Sequence, residues 1–222
     1  MASDITVERK DGLAIVSLNR PDKLNALTLE MRVELMDSFR RMHTDPEVRA
    51  VLLRAEGRAF CAGADISTMG KDDVWGDRAR LHRAHQMILS IYNCEKPVVA
   101  AVRGPAVGIG LSMALACDVL LLSETAKLGQ VFRKIGLAPD GGAAFFLQNL
   151  IGRQRATDLA FSARLVPAQE ALSLGLASQV HPDDALDDAA AEYAADLAAG
   201  PTFALAGAKR LMLAALQPSL ES

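Results

Sequence analysis

Apolar and polar positions alternate at the start of the chain, where Ile5 and Val7 and then Leu13-Ala-Ile-Val-Ser-Leu18 flank Asp11-Gly12. Strand-period runs on either side of an Asp-Gly pair predict a β-hairpin. The period then lengthens. After Thr28, a residue suited to cap a helix, Met31, Leu35, Phe39 and Met42 recur at helical spacing until Asp45-Pro46 ends the run. A short apolar run at Val51-Leu52-Leu53 predicts a strand, and a loop from Gly57 to about Gly76 follows it. Leu81, Ala84, Ile88 and Tyr92 predict one side of a second long helix, and Pro97-Val-Val-Ala-Ala-Val102 a second buried strand. Strands alternating with helices imply parallel pairing through right-handed crossovers. A short helix over 109–116 and a buried strand at Val119-Leu-Leu-Leu122 continue the pattern. From Gly142 onward the pattern predicts helices at 142–150, 153–160, 167–174, 183–199 and 201–214, with Gly200-Pro201 separating the last two. The alanine- and aspartate-rich helix at 184–199 suits either a solvated face or an oligomer contact. The chain is thus α/β, sheet-rich first and helical afterwards, with no internal repeat.

Half of the 222 residues are apolar, enough for one substantial core. A net charge of −3 argues against nucleic acid or an anionic membrane surface as a partner, so an anionic ligand would have to meet local basic residues. Cys61, Cys94 and Cys117 lack the paired spacing of a zinc site or a disulfide framework and read as reduced thiols. The early acids of Met-Ala-Ser-Asp-Ile-Thr-Val-Glu do not suit a signal or transit peptide, and a cytoplasmic location is expected.

Two segments poor in side chains carry the candidate chemistry: Gly57-Arg-Ala-Phe-Cys-Ala-Gly-Ala-Asp65 and Gly104-Pro-Ala-Val-Gly-Ile-Gly110. Each follows a strand, and the second opens a helix, where backbone N–H groups and the dipole favour negative charge. Bare donors from two strand ends suit an oxyanion hole for charge developing on a carbonyl oxygen. In order and wording both loops, with Val16-Ser-Leu-Asn-Arg-Pro-Asp-Lys-Leu-Asn-Ala-Leu27, resemble the crotonase superfamily, the enoyl-CoA hydratases and isomerases, from about Val16 to Gly207.

The resemblance implies a β/α spiral of repeated ββα turns, spanning 1–195 with the CoA and oxyanion sites. A C-terminal helical region would begin at 196–222, shorter than is usual in the family. It assigns the oxyanion donors to the amides of Ala64 and Ile109. Coenzyme A falls to Asp22, Lys23, Leu24 and Ala26 and to the backbone at Ala62, Asp65 and Ile66, with Arg20 adding local positive charge. No cofactor is implied beyond the coenzyme A of the substrate, and the implied assembly is a homotrimer or a dimer of trimers.

Where hydratases of the family place two glutamates, this chain carries Ser112 and Phe132, which would line the acyl pocket. Serine without a partner is too weak a base, and phenylalanine excludes water, so hydration is disfavoured. One carboxylate remains, Asp140 in Gly136-Leu-Ala-Pro-Asp-Gly-Gly142. On local sequence alone it could simply cap the following helix. The segment also looks like the ring-opening and double-bond isomerases and the aryl-CoA dehalogenases of the family, where an aspartate here is the acid-base or the nucleophile. The resemblance therefore implies an isomerase of unsaturated or ring-derived acyl-CoA with Asp140 as its proton carrier. The alternatives are an enoyl-CoA hydratase of fatty-acid β-oxidation and an inactive CoA-binding subunit.

Other classes leave weaker traces. Gly110-Leu-Ser112-Met-Ala114 is one residue from a nucleophile elbow, with His181 as its downstream histidine. Gly108-Ile-Gly110 begins a dinucleotide loop, but Met113 stands where the third glycine belongs. His82 and His85 read as a polar helix edge, not as metal ligands.

Overall fold

A computed structural model describes residues 3–68 and 74–216. The hairpin forms as expected: β1 (Ile5–Lys10) pairs antiparallel with β2 (Leu13–Leu18) around Asp11 and Gly12, both at positive φ. α1 (Leu29–Thr44) follows, its first turn capped by the Thr28 hydroxyl, which accepts from the Met31 N–H at 3.2 Å. Then come β3 (Ala50–Ala55), α2 (Val74–Tyr92), β4 (Val98–Val102), β5 (Pro105–Val107), α3 (Ile109–Leu115), β6 (Val119–Ser123) and β7 (Lys127–Gly129). The expected loop from Gly57 to Gly76 ends earlier, since α2 begins at Val74; its residues 69–73 lie outside the described ones.

The larger sheet runs β1-β2-β3-β4-β6 and is completed by β9 (Gln179–His181), all parallel after the first hairpin. A smaller sheet joins β5, β7 and the two-residue β8 (Val166–Pro167). Side chains of the central strands alternate strictly. Val51, Leu53, Val98, Ala100, Val102, Leu120 and Leu122 face a core shared with Met31, Leu35 and Phe39 of α1 and Ala84, Met87, Ile88 and Ile91 of α2. The α2 stripe is rotated from the expected one: Leu81 is exposed, and Met87 and Ile91 take its place. The other sheet face, Ala50, Leu52, Val99, Ala101 and Leu121, is covered by α6 (Leu186–Ala199) through Leu186, Ala190, Ala194 and Ala198. Small residues at every fourth position let the helix lie close to the sheet. Its apolar side is therefore a core face, while Asp188, Glu192 and Asp196 on its other side are exposed as a solvated face, and the 195/196 division falls inside it.

After β7, α4 (Ala143–Ser162) is interrupted at Gly152, whose φ of 77° and ψ of 159° leave the helical region and divide it where two helices were expected. α5 (Ala168–Leu174) and α7 (Thr202–Ala215) match their expected ranges closely. β8 and β9 break what reads as an all-helical second half. Among the described residues no helix is long and apolar enough to cross a membrane.

Candidate active site

Asn25 organises the first loop. Fully buried and at a φ of 54°, it accepts the Arg20 N–H at 2.8 Å and donates to the Glu56 and Ala59 carbonyls at 2.9 and 2.8 Å. The turn from 20 to 27 and the loop from 57 to 65 are then laced together by Ala62 N–H to Leu24 O (2.9 Å), Leu27 N–H to Gly63 O (2.8 Å) and Asp65 N–H to Leu27 O (3.0 Å). In such a parallel bridge the central residue's own amide points away from its neighbour. That residue is Ala64, and its N–H has no acceptor among the described residues.

The second loop lies against the first. Cys61 donates to Pro105 O at 3.0 Å, and Val107 donates back to Cys61 O at 3.0 Å. Contact is so close that a methyl on Gly110 would stand 2.6 Å from Cys61 O and 2.7 Å from its Cβ. Gly63, at a φ of 100°, holds a backbone conformation that side chains rarely adopt, and a Cβ there would meet Val107 O at 3.2 Å. α3 starts at Ile109, whose N–H is a first-turn donor without an acceptor among the described residues. The amides of Ala64 and Ile109 thus belong to two segments in direct contact, as a two-donor oxyanion hole requires. Burial pushes the Cys61 thiol up to about 12, so it stays protonated as packing between the two loops.

Asp140 is seated on the first turn of α3. The Ser112 hydroxyl donates to its carbonyl at 3.2 Å, and a Cβ on the next residue, Gly141, would lie 3.2 Å from Ser112 Cβ and 3.3 Å from Ile109 Cγ1. The capping alternative fails. It is the Asp140 backbone carbonyl that accepts from Ala143 N–H, at 3.1 Å, while Gly142 stands at the helix cap with no side-chain bond. The carboxylate is left for other work: Oδ1 is buried with no hydrogen-bond partner among the described residues. Burial pushes the Asp140 carboxyl above the usual carboxylate range, opposed by the Arg32 guanidinium and by His85.

Next to this turn a cavity of about 300 Å³ is lined by His85, Ile88, Leu89 and Tyr92 of α2 and by Gly141, Gly142, Phe145 and Phe146. The three aromatic rings meet edge to face, with centroids 5.5–5.9 Å apart. The wall is largely apolar, with His85 and Tyr92 as its residues that carry polar atoms. Phe132 is buried beside the second loop, its Cζ 3.7 Å from where a Gly108 Cβ would be. Ser112, expected to line the acyl pocket, has no exposed surface and acts as a clamp under the Asp140 turn.

The residues assigned to coenzyme A fall together on one rim. Asp22 and Lys23 are exposed on a single 3₁₀ turn, and Leu24 follows at a φ of 51°. Ala26, half-buried, closes the turn by donating to Lys23 O at 3.0 Å. Ile66 projects 60% exposed beyond Asp65. Two details differ from expectation. Arg20 adds little local charge, because it pairs with Asp65 at 2.8 Å and donates to Ala26 O at 3.0 Å. The amides of Ala62 and Asp65 are already spent within the protein, leaving only their carbonyls for a ligand.

Two residues escape the sequence reading. Asn25 gives no signal beyond its suitability for a left-handed turn. Arg32 does give one: it shares a helix face with Leu35 and Phe39, a charge on an apolar stripe, and it is 5% exposed. The serine-hydrolase reading fails, since the partners of Ser112 Oγ are the Gly108 and Asp140 carbonyls and His181 Nε2 pairs with Gln179 Oε1 at 2.9 Å. His85 enters not as a metal ligand but as a wall of the cavity.

Known proteins share this arrangement of chain. The profile of the enoyl-CoA hydratase/isomerase family matches residues 8–222. A probable enoyl-CoA hydratase of Rhodobacter capsulatus is 36% identical over 97% of this chain and 83% of its own. The 1,2-epoxyphenylacetyl-CoA isomerase of Escherichia coli is 33% identical over 95% of this chain and 82% of its own. The crystal structure of an enoyl-CoA hydratase from Mycobacterium avium subsp. paratuberculosis, 38% identical, superposes with a TM-score of 0.91 over 100% of this chain and 89% of that one. With its spiral of strands and helices and its paired glycine loops, the chain belongs to the enoyl-CoA hydratase/isomerase family of the crotonase superfamily.

Proposed function

We propose that the protein isomerises an unsaturated or ring-derived acyl-CoA, with Asp140 as its acid-base. The observation that carries this reading is the Asp140 carboxylate, half-buried and unpartnered at Oδ1, on the turn that packs against Ile109. Ser112 and Phe132 occupy the two positions at which a water-splitting pair would stand, one locked to backbone carbonyls and one apolar.

In the proposed reaction Asp140 takes a proton from a carbon of the acyl chain, and the electron pair delocalises into the thioester. The resulting enolate oxygen accepts the Ala64 and Ile109 N–H groups. Asp140 then returns the proton two carbons away, so atoms and charge balance with one carboxylate and no water. A carboxyl raised by burial is a stronger base than a solvated one, which suits it to a weakly acidic carbon. Asp22, Lys23, Leu24 and Ala26, with the backbone at Ala62, Asp65 and Ile66, would hold coenzyme A. The acyl group would enter the aromatic-walled cavity between α2 and α4.

The test is turnover of 3-enoyl-, 2-enoyl- and ring-epoxide acyl-CoAs by the wild type and by Asp140→Asn. Isomerisation should fall by about 10²–10⁴-fold in the variant while CoA affinity survives. Hydration of 2-enoyl-CoA that persists in the variant would favour a hydratase with water activated elsewhere. No turnover by the wild type despite CoA binding would favour an inactive CoA-binding subunit.

A further inference from the structure

Arg32 is a guanidinium inside the protein. It is 5% exposed on the buried side of α1, its Nη2 lies 3.5 Å from Leu27 O, and its Nε has no hydrogen-bond partner among the described residues. A charge in such a place is costly unless an anion or several acceptors answer it. Leu27 is no neutral neighbour. Its carbonyl also accepts the Asp65 N–H and its amide donates to Gly63, so Arg32 grips the residue that brackets Ala64.

The charged and titratable groups whose fields act on Arg32 come from three other elements: Asp140 before α4, Arg80 of α2, and Cys61 and Asp65 of the first loop. His85 of α2 also faces Asp140. Cys61 is a neutral thiol, and Asp65 is paired with Arg20. Arg80 shares the sign of Arg32. Among the described residues Asp140 is thus the anion left to answer the buried cation.

We propose that Arg32 is a positioning residue for the isomerisation, bracing the Leu27–Ala64 bridge and balancing the Asp140 carboxylate from within the protein. This rests on the proposed function above. During the reaction the negative charge leaves Asp140 as it gains the proton and appears on the thioester oxygen beside Ala64. Arg32 touches the Leu27 carbonyl that brackets Ala64, and its charge is felt by the Asp140 carboxyl, so the negative charge moves within its field. A fixed cation that cannot release its own proton suits the task better than a lysine would.

Arg32→Gln and Arg32→Lys test this with two readouts. The first is titration of the Asp140 carboxyl by ¹³C NMR of aspartate-labelled, ligand-free protein, its resonance identified by its loss in Asp140→Asn. The second is the pH dependence of kcat and KM on the better of the 3-enoyl- and ring-epoxide acyl-CoAs. In Arg32→Gln the Asp140 midpoint should move to higher pH, and the acid limb of kcat should follow it. At acid pH kcat should fall by about an order of magnitude while KM changes less than about threefold. Arg32→Lys, which keeps the charge and guards against a folding failure of the neutral variant, should lie between the two.

An unmoved Asp140 midpoint in Arg32→Gln overturns the proposal, as does Arg32→Lys behaving no better than Arg32→Gln. A shifted midpoint with an unmoved acid limb of kcat overturns the role in catalysis and, with it, the assignment of Asp140 as acid-base. A shifted midpoint in Arg32→Gln with no isomerisation in any protein would instead overturn the proposed function, and with it the role of Arg32 in isomerisation, while leaving the Arg32–Asp140 coupling established.

Discussion

Gly110 marks one of the tight approaches between the two loops of the site, and the one at the start of α3. A methyl placed there would stand 2.6 Å from Cys61 O, so Gly110→Ala must push α3 away from the first loop. Under the proposed function, displacing Ile109 by even a fraction of an ångström misaims one of the two oxyanion donors. The expected result is a fall in kcat of about 10²-fold, the scale of losing one donor, with substrate KM changed less. Steady-state kinetics beside a melting curve would check it, since a mere folding defect would lower Tm without that split. At this scale much of the site is legible in the sequence. Runs of glycine and alanine announce close backbone contact, and a lone aspartate between proline and glycine stands out. Arg32 and Asn25 are harder to see, because each is defined by what the fold brings against it: the Leu27 carbonyl for one, the Glu56 and Ala59 carbonyls for the other.

Among the elements, the C-terminal helix α7 is tied down by an ion pair more than by apolar packing. Lys209, 9% exposed, donates to Asp118 Oδ2 at 2.8 Å, and the same oxygen accepts the Val98 N–H that opens β4. Burial pushes the Asp118 carboxyl up, and Lys209 pulls against it. Lys209→Met would leave that carboxylate facing an apolar tip. Because the Asp118 side chain is still 27% exposed, a loss of about 2–3 kcal/mol is expected, below the full cost of an orphaned buried charge. Denaturant unfolding measures it, and adding Asp118→Asn should recover part of the loss. Elements follow their periodicity wherever a single period persists. The hairpin, α1 and the central strands are legible for that reason, as is the break at Gly152. β5, β7, β8 and β9 are two or three residues long, too short to display a period, and owe their existence to neighbouring strands. The role of α6 was open because alanine suits solvent, subunit and sheet alike; only the sheet's back face decides it.

For the molecule as a whole, acid stability should carry the mark of Asp65. Hydrogen bonds from Ser67, hydroxyl and then backbone N–H, hold its carboxyl down at about 2, with the Arg20 guanidinium adding to them. An unfolded aspartate titrates near 3.9. The folded state therefore gains from the ionised form above about pH 4 and loses that gain as pH falls toward about 2. Asp65→Asn should lower stability at neutral pH and flatten its decline across that window, as read from unfolding curves collected between pH 2 and 7.

The lacing of the 20–27 turn to the 57–65 loop also says something about how such a protein changes over generations. Three backbone hydrogen bonds, the Asn25 clip and the Arg20–Asp65 pair make these segments one unit. The cavity wall is furnished separately, by His85, Leu89 and Tyr92 from α2 and Phe145 and Phe146 from α4. Under the proposed function, mutations that reshape the aromatic cavity for a different acyl group need not touch the laced loops that would present the thioester, so a lineage could exchange one diet for another while keeping its tool.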